Sequence, residues 1–212
     1  MQQSFVFLLI VVFSYSSWAQ DERYYRQMLT GDLPTMIREI KEDTVTQYVI
    51  KGPNYFIDIN DDGIEEIIQP QKIDGTDVLE IRSSSGTKYL AARLFAMGTS
   101  SHIYQLKLVR LSPKAKALIV MMDEGVIQAK RVENTARIFL VSFENNDLTT
   151  MKVTQGPHHF HEKESQREQY GRRDYGVNAL DLDHDGTREV IVQFNHMQRI
   201  MKYVGGGEWL RF

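Results

Sequence analysis

The chain has 212 residues, 25 lysines and arginines against 28 aspartates and glutamates, a formal net charge of −3 and no cysteine. That balance gives no general electrostatic attraction to nucleic acid or to an anionic membrane surface. The lack of cysteine excludes disulfide stapling, an acylated lipoprotein cysteine and a cysteine nucleophile.

Residues 1–19 read as a secretory signal peptide: an apolar run, Phe5 to Phe13, is followed by Ser17-Trp18-Ala19, with small residues where a signal peptidase cleaves. The run of 9 residues is about half of the roughly 18 that a membrane span needs, so no transmembrane segment is expected. The protein is therefore expected to be exported, to the periplasm or the extracellular space. Cleavage after Ala19 leaves 212 − 19 = 193 residues, enough for one domain with its own core.

Residues 20–43 carry apolar side chains at helical spacing. Tyr24, Tyr25, Met28 and Leu29 form one group, and Met36, Ile37 and Ile40 form another after Gly31 and Pro34. Pro34 just after Asp32 suits the first turn of a helix, where the missing amide hydrogen is not needed. Two short helices are predicted there.

From residue 44 to 212 the texture is β. Thr44–Ile50, Tyr55–Ile57, Glu66–Gln69, Val78–Arg82, Lys88–Leu90, Ile103–Val109, Ala117–Met122 and Arg137–Phe143 are rich in β-branched and aromatic residues. Ser83–Gly86, Ser112-Pro113, Asp123-Glu124-Gly125 and Asn145-Asn146-Asp147 punctuate them as turns. Residues 155–173, with Gly156-Pro157 and a histidine cluster, read as a long loop or a decorated connection. Strand texture returns at Tyr175–Leu180, Glu189–Phe194, Arg199–Val204 and Trp209-Leu210, with Gly205-Gly206-Gly207 as a hairpin turn.

Two acidic segments stand out. Asp181-Leu182-Asp183-His184-Asp185-Gly186-Thr187-Arg188-Glu189 places carboxylates at alternate positions before a glycine and adds one after it. Asp58-Ile59-Asn60-Asp61-Asp62-Gly63-Ile64-Glu65-Glu66 repeats the pattern with one Asn for Asp. Calcium takes about six to eight oxygen ligands, and alternate carboxylates on a curled loop converge on one point while the glycine permits the turn. The candidate ligands are Asp58, Asn60, Asp62, the carbonyl of Ile64 and Glu66 in the first loop. In the second they are Asp181, Asp183, Asp185, the carbonyl of Thr187 and Glu189. Asp61 and His184 occupy in-between positions and should point outward. With three formal side-chain charges against four, the first loop should bind more weakly. The plain alternative for each loop is a solvated acidic turn.

An EF-hand requires a bidentate Glu at its twelfth loop position, where this chain has Gln69 and Val192, and the residues that follow each loop prefer strand. The ion would sit in a strand-loop-strand turn. The flanking pattern recurs as well: each loop is followed by a strand, a second strand, a Gly-containing turn and a third strand. The loops start 181 − 58 = 123 residues apart, room for three units of about 41 residues, a propeller-blade length.

These segments, Tyr55 to Leu90 and Asn178 to Leu210, resemble the FG-GAP/VCBS-type repeats of integrin-like β-propellers, in which such a loop joins two strands and holds calcium. The resemblance implies an all-β, mainly antiparallel, propeller-like domain over residues 44–212. It also implies a calcium-binding, non-catalytic binding or scaffold protein that recognises a protein or glycan.

The competing function is an exported metal-dependent hydrolase built on His158-His159-Phe160-His161-Glu162, since imidazoles at this density bind zinc or copper. The cluster matches no His-Glu-x-x-His pattern, and no serine lies in a nucleophile elbow. Exposed histidines on a polar loop are the plain alternative.

Overall fold

The recurring two-residue turns decide much of the architecture. Asp74-Gly75 and Asn145-Asn146 both have positive φ at their two central positions, the turn geometry whose twist matches that of paired strands. In the computed structural model, which describes residues 45–49, 54–98, 100–127, 133–164 and 170–212, they join long antiparallel hairpins. The predicted signal peptide and helical segment, residues 1–19 and 20–43, lie outside the described residues.

Fourteen strands are described: β1 Val45–Val49, β2 Tyr55–Ile57, β3 Glu66–Ile73, β4 Thr76–Arg82, β5 Lys88–Leu94, β6 His102–Arg110, β7 Ala115–Ile127, β8 Glu133–Glu144, β9 Asp147–Glu164, β10 Tyr170–Asp174, β11 Gly176–Leu180, β12 Glu189–Phe194, β13 Met197–Gly205 and β14 Glu208–Arg211. They form three antiparallel sheets, one of six strands in the order β1-β6-β7-β8-β9-β10 and two of four strands, β2-β3-β4-β5 and β11-β12-β13-β14. Among the described residues, no helix is long and apolar enough to cross a membrane.

The six-stranded sheet is the middle layer. Side chains on a strand alternate between faces, and β7 is apolar at both phases. Leu118, Val120 and Met122 enter a core with Ile57, Ile68, Leu79, Ile81 and Leu94 of the β2–β5 sheet. Ala117, Ile119 and Met121 enter a second core with Val177, Ala179, Val190, Val192 and Met201 of the β11–β14 sheet. One four-stranded sheet therefore covers each face of the middle sheet, and the continuous apolar run in β7 is what burial on both faces demands. Residues 42–212 form one compact unit.

Three expectations need correction. Residues 155–164 and 170–173 are strand rather than loop, because β9 runs from Asp147 to Glu164 and β10 pairs with its far end. Asp123-Glu124-Gly125 does not end a strand but is a bulge within β7, where the register to β8 shifts and Gly125 takes φ +77°. Three blade-like units are not seen among the described residues: β6 to β10 build the middle sheet together with β1, and the two outer sheets have the four-stranded, loop-bearing form. A closed ring of blades is not shown among the described residues.

Candidate metal centre

Each acidic segment links the first two strands of an outer sheet, β2 to β3 and β11 to β12. Their backbones are held by the same hydrogen bonds. The opening aspartate accepts from the amides of the fifth and sixth positions, Asp58 from Asp62 at 3.2 Å and Gly63 at 2.9 Å, and Asp181 from Asp185 at 3.1 Å and Gly186 at 3.0 Å. The fifth-position aspartate accepts from the seventh amide at 2.7 Å in both, Asp62 from Ile64 and Asp185 from Thr187. The closing glutamate reaches back to the second amide at 2.9 Å in both, Glu66 to Ile59 and Glu189 to Leu182. The glycines Gly63 and Gly186 take φ +83° and +87°, and Asp61 and His184 also lie in the left-handed region at +62° and +59°. The hydrogen-bond network curls each segment in the same way.

Both loops also rest on the hairpin between β6 and β7, from opposite sides. In the first, the Lys116 ammonium, buried at the start of β7, donates to the Ile59 carbonyl at 3.1 Å and pairs with Asp61 at 2.5 Å, while Arg110 pairs with Asp61 at 2.8 Å. The hydrogen bond from Lys116 holds the Asp61 carboxyl below its ordinary value, assisted by the charge of Arg110. Asp61 does point out of the loop, as its position predicts, and into an anchoring ion pair. In the second loop the Arg188 amide donates to the Leu111 carbonyl at 2.8 Å and its guanidinium to the Arg110 carbonyl at 3.0 Å. His184 is exposed.

The ligand oxygens of Asp181, Asp183 and Glu189 lie within 4.8 Å of one another. Lys202, from β13, reaches into the same space. Its ammonium is hydrogen-bonded to Asp183 and lies 2.6 Å from Asp185 and 3.4 Å from Glu189. Glu189 is buried, and its Oε1 is within ion-pair range of Lys202 but makes no hydrogen bond. The Lys202 pKa is raised, chiefly by the hydrogen bonds it donates to Asp183 and Asp185, and the same ammonium lowers that of Asp185. In the first loop Asn60 Nδ2 donates to Asp62 at 2.9 Å, and burial pushes the Glu66 carboxyl up.

Oxygen-only donors on a tight loop, with one buried carboxylate oxygen lacking a hydrogen bond and an ammonium already drawn among them, fit a hard divalent cation. Of the ten residues singled out from the sequence, Asp181, Asp183 and Glu189 are the ones whose ligand atoms are gathered within 4.8 Å of one another among the described residues.

The chain matches no family model, no curated protein and no solved structure.

The histidine cluster is dispersed by the strand that carries it. Alternation along β9 sends neighbouring imidazoles to different surroundings: His158 Nε2 lies 2.7 Å from Glu124, His159 is hydrogen-bonded to Tyr104, and His161 Nε2 lies 3.0 Å from Glu133. Among the described residues, the cluster of metal-capable side chains is the acidic one, and no histidine joins it. Glu124 is fully buried. Burial works to raise its pKa, but hydrogen bonds from His158 and Thr135 and the charge of Arg137 outweigh it and leave the carboxyl at about 2.

Lys202, Lys116 and Arg110 carry no motif, so spacing alone does not single them out. One signal does exist for Lys202. The two-residue turn after Phe194 fixes the β12–β13 register, with Phe194 facing Met197 and Val190 facing Met201, and one step further places Lys202 across from Glu189.

Proposed function

We propose that this is an exported calcium-binding protein in which each acidic loop holds one ion and braces an outer sheet against the middle one. On this reading the ions play a structural part in a non-catalytic binding or scaffold protein whose exposed surface recognises a protein or glycan. The ligands would be Asp58, Asn60, Asp62, Glu66 and the Ile64 carbonyl, and Asp181, Asp183, Asp185, Glu189 and the Thr187 carbonyl. The loop pattern and its strand-loop-strand setting carry a resemblance to FG-GAP/VCBS-type repeats, with the two four-stranded outer sheets as blade-like units of a propeller-related fold.

The observation that carries the reading is the shared hydrogen-bond network: two acidic loops 123 residues apart in sequence are curled by the same contacts. A solvated turn has no need of a buried glutamate, yet Glu66 and Glu189 are both buried where each loop closes. Burying a carboxylate is costly without a compensating charge, which Lys202 supplies at Glu189 in the metal-free second loop.

The test is a thermal or urea melt of the mature protein with calcium, with magnesium and after chelation, repeated with Asp58→Ala and Asp181→Ala. A ligand bound only by the native state stabilises it by about 2.7 kcal/mol at a hundredfold excess over Kd. Each substitution should remove part of the calcium response. A wild-type melting temperature that calcium leaves unchanged would sink the reading. Binding of the calcium-loaded and chelated protein to a glycan array then tests the recognition role.

A further inference from the structure

The second loop contains its own cation. From the geometry we infer that Lys202 is a tethered competitor for the second site, displaced when a divalent ion binds there; this rests on the calcium reading of the loops. The ammonium lies among Asp183, Asp185 and Glu189, three of the four side-chain carboxylates proposed as ligands there. A divalent ion coordinated by those oxygens cannot share the space with an ammonium hydrogen-bonded to two of them. Calcium must displace Lys202, and its binding free energy is reduced by the contacts that the lysine gives up.

The first loop has no such group among the described residues. Ile67 pairs with Arg82 across β3 and β4, so the residue opposite Glu66 is Ser83, as Lys202 is the residue opposite Glu189. The Ser83 hydroxyl is taken up with Ser85 and the Thr87 amide in the β4–β5 turn. The basic side chains that approach the first loop, Lys116 and Arg110, bind Asp61 on its outer side rather than the proposed ligands.

Charge counting points the same way. The four carboxylates Asp181, Asp183, Asp185 and Glu189 carry −4, and Lys202 brings the set to −4 + 1 = −3, the value that Asp58, Asp62 and Glu66 have alone. The extra carboxylate of the second loop is thus neutralised by the lysine. The charge advantage of the second loop, drawn from its ligands alone, is cancelled once β13 is in place.

The experiment measures calcium affinity by titration against a chelating dye, with calcium ion alone as the probe, in an Asp58→Ala background that leaves only the second loop. Adding Lys202→Met should tighten binding by about tenfold or more, since a like charge at the site is removed. The same change should lower the melting temperature of the metal-free protein, and calcium should restore it. Lys202→Gln, which is neutral but polar, should act in the same direction, and circular dichroism reports whether each variant is folded. Variants that fold only with calcium also support the inference, because the ion then does what the ammonium did. Affinity within about twofold of the lysine protein, a difference of roughly 0.4 kcal/mol, overturns it while leaving the calcium reading intact. Failure of both variants to fold even in calcium overturns it too. Absence of calcium binding in the wild type and in every variant overturns the calcium reading itself, and the inference with it.

Discussion

The two outer sheets share one element order and one pattern of loop hydrogen bonds, yet they turn opposite faces to the middle sheet. Aligning the loops on Asp58 and Asp181 pairs Ile57 with Leu180, Ile59 with Leu182 and Phe56 with Ala179. In the first sheet Ile57 and Ile59 are in the core and Phe56 is 58% exposed; in the second Ala179 is in the core and Leu182 is 45% exposed. A local two-fold relation would turn the same face of both sheets inward. The difference teaches that the loop is a unit which tolerates either packing of the sheet behind it, because its hydrogen bonds are internal and its ties to the β6–β7 hairpin are made by whichever residue faces that way. Asp61 serves in one loop and Arg188 in the other.

Shortening the second residue of each loop should separate the two packings most widely. Ile59→Ala removes a fully buried side chain from the first core and should cost about 3 kcal/mol, within the range for such truncations. Leu182→Ala at the matched position should change stability by no more than about 0.5 kcal/mol, as exposed substitutions do. Urea denaturation of the two single variants measures both. Equal losses would mean that the sheets face the same way.

Which parts of this arrangement are legible in the sequence follows from the physics of alternation. Strand positions are readable where β-branched runs are bounded by strong turns. An acidic loop is such a boundary, so β2 and β12 begin and end where their residues predict. The ten candidate ligands are readable because their spacing is local. The facing of each outer sheet is not, since Ile67-Ile68 and Val190-Ile191-Val192 are apolar at both phases and offer either face to a core. Nor is the run of β9 through Gly156 and Pro157, residues that usually interrupt a strand. There the chain spans shifts in register to β8, and Gly156 packs where a Cβ would come within 2.4 Å of the Ile138 side chain. Lys202 illustrates the general limit: its importance lies in a cross-strand neighbour, and only a register supplies that.

Acid should loosen the two interfaces unequally. His159 is buried beside Tyr104, which packs on the second core, and its carbonyl accepts from the Tyr175 amide at the entry to β11. Burial lowers its pKa from 6.5 to about 4, with the charges of Lys107 and His158 adding to the effect and that of Glu124 opposing it. A histidine whose folded pKa lies below its unfolded value binds its proton first in the unfolded state. Its neutral burial therefore contributes stability that is fully present above about 6.5 and lost as pH falls toward about 4. At about pH 5 the loss should reach about 2 kcal/mol, from about 1.36 kcal/mol per pH unit. Hydrogen exchange at that pH should find the amides of β11–β14 opening before those of β2–β5, and His159→Phe should flatten the dependence. A wild-type stability that is level from neutral pH down to about 5 would count against the buried neutral imidazole.

The smallest expected effect tests what the two loops have in common rather than what separates them. Gly63 and Gly186 sit at φ +83° and +87°, and a Cβ at either would meet nothing within 4 Å. Alanine is therefore opposed only by the left-handed backbone, at about 1 kcal/mol. Because a Cβ at either glycine would meet no neighbouring sheet, the cost should not depend on which face is packed inward. Gly63→Ala and Gly186→Ala should lose the same stability within about 0.5 kcal/mol in chelator, the tolerance for independent sites. Each glycine amide also donates to the opening aspartate, at 2.9 Å in the first loop and 3.0 Å in the second, a bond that alanine can keep. Unequal losses in metal-free protein would locate a difference inside the loop's own hydrogen bonds, and the equivalence on which the comparison rests would fail at its source.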